Sequence, residues 1–139
     1  MAVTNQGINH MFNVEFKGAT QVTSWYMNLF TNNYTPVVGD TAASFPATAG
    51  EATTQISEGT RQAFNPATST AQSLTNTASK ATFTAATTFT AYGAGVYSSA
   101  VKGGASGVLF CASKFPTAKS LEAGDQLLVT AAINGASAC

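Results

Sequence analysis

The chain has 139 residues and no formal net charge, and only 9% of its residues are Asp, Glu, Lys or Arg, against about 25% in an average globular protein. This length fits one domain, and the 45% of hydrophobic residues argues against a disordered chain, which would combine low hydrophobicity with high net charge. The six basic residues are scattered and matched by six acidic ones, and no apolar run approaches the roughly 20 residues of a membrane helix, so the sequence indicates neither a nucleic-acid binder nor a membrane protein.

Residues 1–18 predict a short helix that forms an N-terminal arm. Four apolar residues recur at the spacing of one helical face: Ile8, Met11, Phe12 and Phe16. Thr4 or Asn5 can cap the start of the helix, and Gly18 can end it. Because so short a helix is not stable alone, we expect its apolar face to dock on another surface.

The next part of the chain predicts one strand followed by a long loop. Residues 22–31 are rich in aromatic and β-branched side chains, as strands are. Residues 32–58 hold two prolines and many small residues, so we expect a long loop with at most a short helix near residues 49–56. Long connections without regular structure are uncommon and often functional, which makes this loop a candidate contact surface. Its candidate contact residues are Tyr34, Pro36 and Phe45.

The second half of the chain predicts four further strands. They are residues 80–85, 89–97, 108–112 and 126–133. Short strands separated by turns, with no helices between them, are typical of antiparallel sandwiches. The sequence therefore predicts a single mainly β domain over residues 1–139, an antiparallel β-sandwich of jelly-roll or immunoglobulin-like type with a short N-terminal helix. The predicted core consists of Phe12, Trp25, Leu29, Phe83, Phe110, Leu127, Val129 and Ile133.

Catalytic and metal-binding patterns are not found in the sequence. His10 is the only histidine, and it forms no zinc-like spacing with the acidic residues or the two cysteines. No nucleophile-elbow motif occurs, and the glycine-rich residues 104–107 lack the lysine of a phosphate-binding loop. We therefore expect no enzyme activity, no catalytic residues, no cofactor and no bound metal.

The two cysteines have different sequence surroundings. Cys111 lies within the apolar residues 107–112 and is expected to be a buried free thiol. Cys139 is the last residue and is expected to be exposed. It is therefore the candidate for a disulfide between chains, with an incidental free thiol as the alternative.

Four short pieces of sequence follow one another along nearly the whole chain. The first is the amphipathic helix ending in F-K-G-A-T at residues 16–20, and the second is W-Y-x-x-L-F-T at residues 25–31. The third is G-T-R-Q-A-F at residues 59–64, and the fourth is N-T-A-S-K-A-T-F at residues 76–83, with glycine turns after it. In this order the pieces resemble small bacteriophage virion proteins of the tail-fibre or head-decoration type. The resemblance implies a β-sandwich-like structural subunit without catalytic residues, and it leaves the position in the particle open.

Arg61 lies within the third of these pieces. We expect it to pair across a strand, to hold a loop to a carboxylate, or to be exposed on a strand.

The first functional hypothesis is a capsid decoration, or cement, subunit that stabilises the phage head. Such a subunit forms a homo-oligomer, for example a trimer, and binds the major capsid protein. The sparse charge favours it, because a nearly uncharged surface suits a subunit packed among neighbours better than a free monomer. The N-terminus has no secretory signal, so we expect assembly in the host cytoplasm and final residence in the virion.

The alternative is a tail-fibre or tail-associated adhesion module that contacts the host surface. Sugar binding there would need an aromatic platform, for which the aromatic candidates are Trp25, Tyr26, Tyr34, Tyr92 and Tyr97. Trp25 and Tyr26 are expected in the core, which leaves Tyr34 in the loop as the better candidate. A carbohydrate-binding β-module unrelated to phage is a third hypothesis. Copy number separates the first two, because decoration requires many copies per particle and a tail tip requires few.

Overall fold

A computed structural model, which describes residues 1–135, shows a mainly β chain with 38% strand and 13% helix. The two helices are α1 (Asn5–Lys17) and α2 (Phe45–Ala49). The strands are β1 (Ala2–Val3), β2 (Trp25–Phe30), β3 (Gln62–Phe64), β4 (Ser73–Thr75), β5 (Ala81–Thr84), β6 (Phe89–Tyr97), β7 (Leu109–Leu121), β8 (Gln126–Val129) and β9 (Ala132–Asn134). The predictions of a mainly β fold and of an N-terminal helix are confirmed.

The strands form one larger sheet and two small ones. The larger sheet has five strands in the order β1-β7-β6-β2-β3, and the pairs β4-β9 and β5-β8 form two-stranded sheets. Every one of these pairings is antiparallel. Side chains from all three sheets meet in one hydrophobic cluster, an arrangement compatible with the predicted sandwich.

This cluster, the main core, accounts for the alternating pattern by which β5 was predicted from the sequence. In β5, Ala81 and Phe83 are buried while the two threonines are half-buried, because successive side chains of a strand point to opposite faces. Of the predicted core, Leu29, Phe83 and Val129 are buried, and four more residues pack against the cluster while partly buried: Trp25, Phe110, Leu127 and Ile133. Phe12 is the wrong member, because 55% of its surface is exposed.

A second, smaller core lies on the other face of the larger sheet. Its large members are Phe30, Phe45, Tyr97 and Leu109. Phe45 belongs to α2, which starts with Pro46 in its first turn and ends at Gly50 in the left-handed conformation, both common at these positions. The short helix predicted near residues 49–56 is present but begins earlier, at Phe45, because Pro46 favours the first turn of a helix.

The segment 32–58 is folded onto the sheet for much of its length. The amide of Ala52 donates to the carbonyl of Leu29 at 2.9 Å, and Phe30 forms an isolated bridge with Glu51. These contacts continue the edge of β2 beyond the end of β3. Residues 49–52 of the predicted loop are therefore mostly buried, whereas most of residues 32–39 are exposed.

The last strands also differ from their predicted bounds. The strand predicted at residues 108–112 extends to Leu121, because its pairing with β6 resumes after a register shift between Ala91 and Gly93. Pro116 falls within this interruption of the ladder. A proline is tolerated there because it has no ladder hydrogen bond to donate. The strand predicted at 126–133 is divided into β8 and β9. Within residues 1–135, neither helix is long and apolar enough to cross a membrane.

Candidate functional site

Helix α1 lies directly against β7. The Thr4 hydroxyl caps its start by accepting a hydrogen bond from the Gly7 amide at 3.0 Å, and Gly18 ends it with a left-handed φ of 67°. A Cβ atom added at Gly7 would lie 2.4 Å from the carbonyl oxygen of Phe110. The absence of a side chain at Gly7 therefore allows the helix to approach the strand this closely.

Phe12 and Phe16 of α1 lie on the far side of the helix from that contact. At about 100° per residue, Phe16 lies on the side of the helix opposite Gly7. Met11, Phe12 and Phe16 are 42%, 55% and 76% exposed, and the rings of Phe12 and Phe16 are 6.2 Å apart. We call these three residues the α1 stripe. The glycine face makes the closer contact with the sheet, so the surface on which the exposed apolar residues dock stays a prediction.

A groove of about 450 Å³ adjoins the α1 stripe. Its inner wall is aromatic, since Trp25 packs edge-on against Phe110 at 5.2 Å and against His10 at 5.6 Å between ring centroids. The stripe and the groove together form a continuous apolar surface on one side of the molecule. Large apolar patches of this kind mark interaction sites more often than ordinary surface.

A buried ion pair between Arg61 and Glu51 lies beside the ring of Tyr97. The Arg61 side chain donates two hydrogen bonds to Glu51, from Nε to Oε1 at 2.8 Å and from Nη2 to Oε2 at 2.7 Å. Both side chains are at most 1% exposed. The Asn28 amide donates to the same carboxylate at 2.6 Å, and the guanidinium lies 3.7 Å from the centre of the Tyr97 ring.

This ion pair connects distant parts of the chain. Arg61 also donates to the carbonyl oxygens of Ser99 at 3.0 Å and Gly104 at 3.1 Å. Of the roles expected for Arg61, holding a loop to a carboxylate is the one observed. Burial, and then the negative charge of Glu51, raise the pKa of Tyr97, so its phenol stays protonated. Because the cluster is closed to solvent, we assign it a structural role.

The three predicted contact residues have different surroundings. The Tyr34 hydroxyl donates to Asp40 at 2.9 Å, and that hydrogen bond raises the pKa of Tyr34. Phe45 is fully buried and packs edge-on against Tyr34 with 6.0 Å between ring centroids. Phe45 therefore offers no surface to a partner, while Tyr34 and Pro36 remain half-buried.

The structure also places one cysteine and the residues considered for metal binding. Cys111 is buried, as predicted, whereas Cys139 lies outside the described residues, and its disulfide stays a prediction. In residues 1–135, no group of three His, Cys, Asp or Glu side chains is placed to hold a metal ion.

Cys111 should react slowly with thiol reagents in the folded chain. Burial raises the pKa of its thiol to about 12, so at about pH 8 it stays protonated, and only the thiolate is reactive. In a Cys139→Ser variant, which keeps Cys111 as the single cysteine, we expect rapid labelling in urea and little labelling without it. Equal labelling rates in the two conditions would contradict the burial of this thiol.

The sequence could not have revealed the α1 stripe as a surface, because its spacing is the same as that of a docked amphipathic helix. Comparison with known proteins adds no further assignment, since no protein-family model matches the chain and no curated protein matches its sequence. The surface formed by the α1 stripe and the adjoining groove is therefore the candidate functional site on its geometry alone.

Proposed function

We propose that the chain is a structural subunit of a bacteriophage particle, a capsid decoration protein that stabilises the head and acts without catalysis. The observation that carries the proposal is the exposed α1 stripe on a chain with almost no charge. When a neighbour covers exposed apolar residues, the free energy falls by about 25 cal/mol for each Å² of apolar surface removed from water. A sparsely charged surface makes such contacts nearly independent of salt, because screening acts on charges.

The occupant of the α1 stripe is a second copy of the chain. The charged residues of α1, Glu15 and Lys17, both lie at its C-terminal end, and the N-terminal part carries none. In an antiparallel pair of helices, each charged end faces the neutral part of its partner. A parallel pair would place Glu15 beside Glu15. The charge distribution therefore favours a two-fold contact, the commonest symmetry of homo-oligomers, with Phe12 near its centre.

Removing the α1 stripe should abolish this association. In a Phe12→Ser, Phe16→Ser double variant we expect self-association to weaken by about ten-thousandfold or more, because the two-fold contact loses two rings from each copy and each ring contributes about 1.5–3 kcal/mol of apolar burial. Sedimentation over a range of concentrations measures the change. Val101→Ser is the matched control, since Val101 is 62% exposed but lies outside α1.

Two results would contradict the assigned contact. One is a wild-type chain that stays monomeric at the highest concentration reached in solution. The other is a double variant that associates as strongly as the Val101→Ser control.

A further inference from the structure

A second groove lies where β2 begins and β3 ends. It measures about 590 Å³, within the range of about 300–1,000 Å³ typical of small-molecule sites. Residues 21–26 form one wall and residues 63–66 form the other. We call it the sheet-end groove. Trp25 and Val22 line both this groove and the one beside α1, so the two lie next to each other.

The lining of the sheet-end groove combines apolar and polar residues and carries no charged side chain. No Asp, Glu, Lys, Arg or His is among the lining residues. Gln21, Thr23, Ser24 and Asn65 are all exposed to solvent, so their side chains are available to a ligand. Each amide offers both donors and an acceptor, and each hydroxyl offers one donor and accepting lone pairs.

Tyr26 provides an aromatic surface in the same groove. Its side chain is half-buried in β2, which fixes the ring while leaving part of it accessible. This differs from the sequence expectation, in which Tyr26 belonged to the core and Tyr34 was the free ring. Tyr34 is instead joined to Asp40. A tyrosine combines a flat apolar ring with a polar hydroxyl, as a ligand with both C–H faces and hydroxyl groups requires.

We propose that the sheet-end groove binds a neutral saccharide, whose C–H face packs on Tyr26 and whose hydroxyls exchange hydrogen bonds with Gln21 and Asn65. Sugar hydroxyls both donate and accept hydrogen bonds. Side-chain amides do the same, so they suit a sugar better than side chains that can only donate. An anionic ligand such as a phosphate or a uronic acid would find no cation here. The site contains no residue of the α1 stripe, although it shares Gln21, Val22 and Trp25 with the groove beside α1.

The test is a titration of the isolated chain with neutral monosaccharides and disaccharides, in which NMR chemical shifts report binding. We expect millimolar binding, about 1 mM, with shifts confined to residues 21–26 and 63–66. Asn65→Ala and Gln21→Ala should each weaken binding about tenfold, the effect of losing about 1.4 kcal/mol. Asn9→Ala is the matched control, because Asn9 is an exposed amide on α1 and should leave binding unchanged.

Tyr26 needs two variants, because its side chain also packs within β2. Tyr26→Phe keeps the ring and should bind nearly as well as the wild type, whereas Tyr26→Ser should lose binding while keeping the wild-type backbone spectrum. The proposal is overturned if no neutral saccharide binds, if only anionic sugars bind, or if the shifts lie outside the groove. Equal binding by Asn65→Ala, Gln21→Ala and Asn9→Ala would overturn it as well. Self-association through the α1 stripe is measured separately, so either proposal can fail alone.

Discussion

Replacement of Arg61 by alanine should lower the free energy of unfolding by about 3–5 kcal/mol. The change leaves the Glu51 carboxylate buried with a single remaining side-chain donor, Asn28. It also removes the donors to the carbonyls of Ser99 and Gly104 and the cation above the Tyr97 ring. Urea or thermal denaturation measures the loss. Lys80→Ala, at an exposed position, is the control and should change stability by about 0.5 kcal/mol or less.

Two further variants separate the buried charge from the space that the side chain fills. Arg61→Lys should recover little, because one ammonium cannot reproduce the paired hydrogen bonds of a guanidinium. Arg61→Met combined with Glu51→Leu should recover more than Arg61→Ala, since apolar replacement of both partners leaves no unpaired buried charge. An Arg61→Ala variant within about 1 kcal/mol of the wild type would show that the ion pair does not hold these segments together.

The same substitution should lower the stability of the fold by very different amounts at Phe45 and at Phe12. Phe45→Ala should cost about 3–5 kcal/mol of stability, because Phe45 is fully buried against Phe30 and Tyr97. Phe12→Ala should cost about 1 kcal/mol or less, because 55% of Phe12 is exposed. The measurement is urea denaturation of the monomer at low concentration, where self-association does not add to the stability of the folded state.

The sequence alone suggests the reverse order, with Phe12 in the core and Phe45 in a contact loop. Equal losses at the two positions, or a larger loss at Phe12, would therefore contradict the structure.

Local patterns were sufficient to predict α1 and the longer strands, but not the short strands β1, β3 and β4. The alternation of Ala81 and Phe83 with threonines gives β5, and the cap at Thr4 and the stop at Gly18 give the bounds of α1. Each of these features depends only on residues a few positions apart, so it can be predicted from a single sequence. The short α2 helix was misplaced because Pro46 was treated as a loop residue and not as the start of a helix.

The candidate site depended on information that local patterns do not contain. The apolar spacing of α1 predicts a face but not which face docks, and that choice depends on Gly7 meeting the backbone of Phe110, which is distant in sequence. The ion pair between Glu51 and Arg61 likewise forms only because the intervening segment folds back along β2. Spacing in the sequence gives neither contact.

The number of copies in purified particles is the most direct test of the proposed function. Quantitative mass spectrometry of virions compares this chain with the major capsid protein, and particles lacking the chain are then heated beside the wild type. We expect copy numbers of the same order for the two proteins and depleted heads that break at lower temperature. A chain present in only a few copies, with depleted particles that are as heat-stable as the wild type but fail to adsorb to the host, would contradict decoration and indicate a tail adhesin.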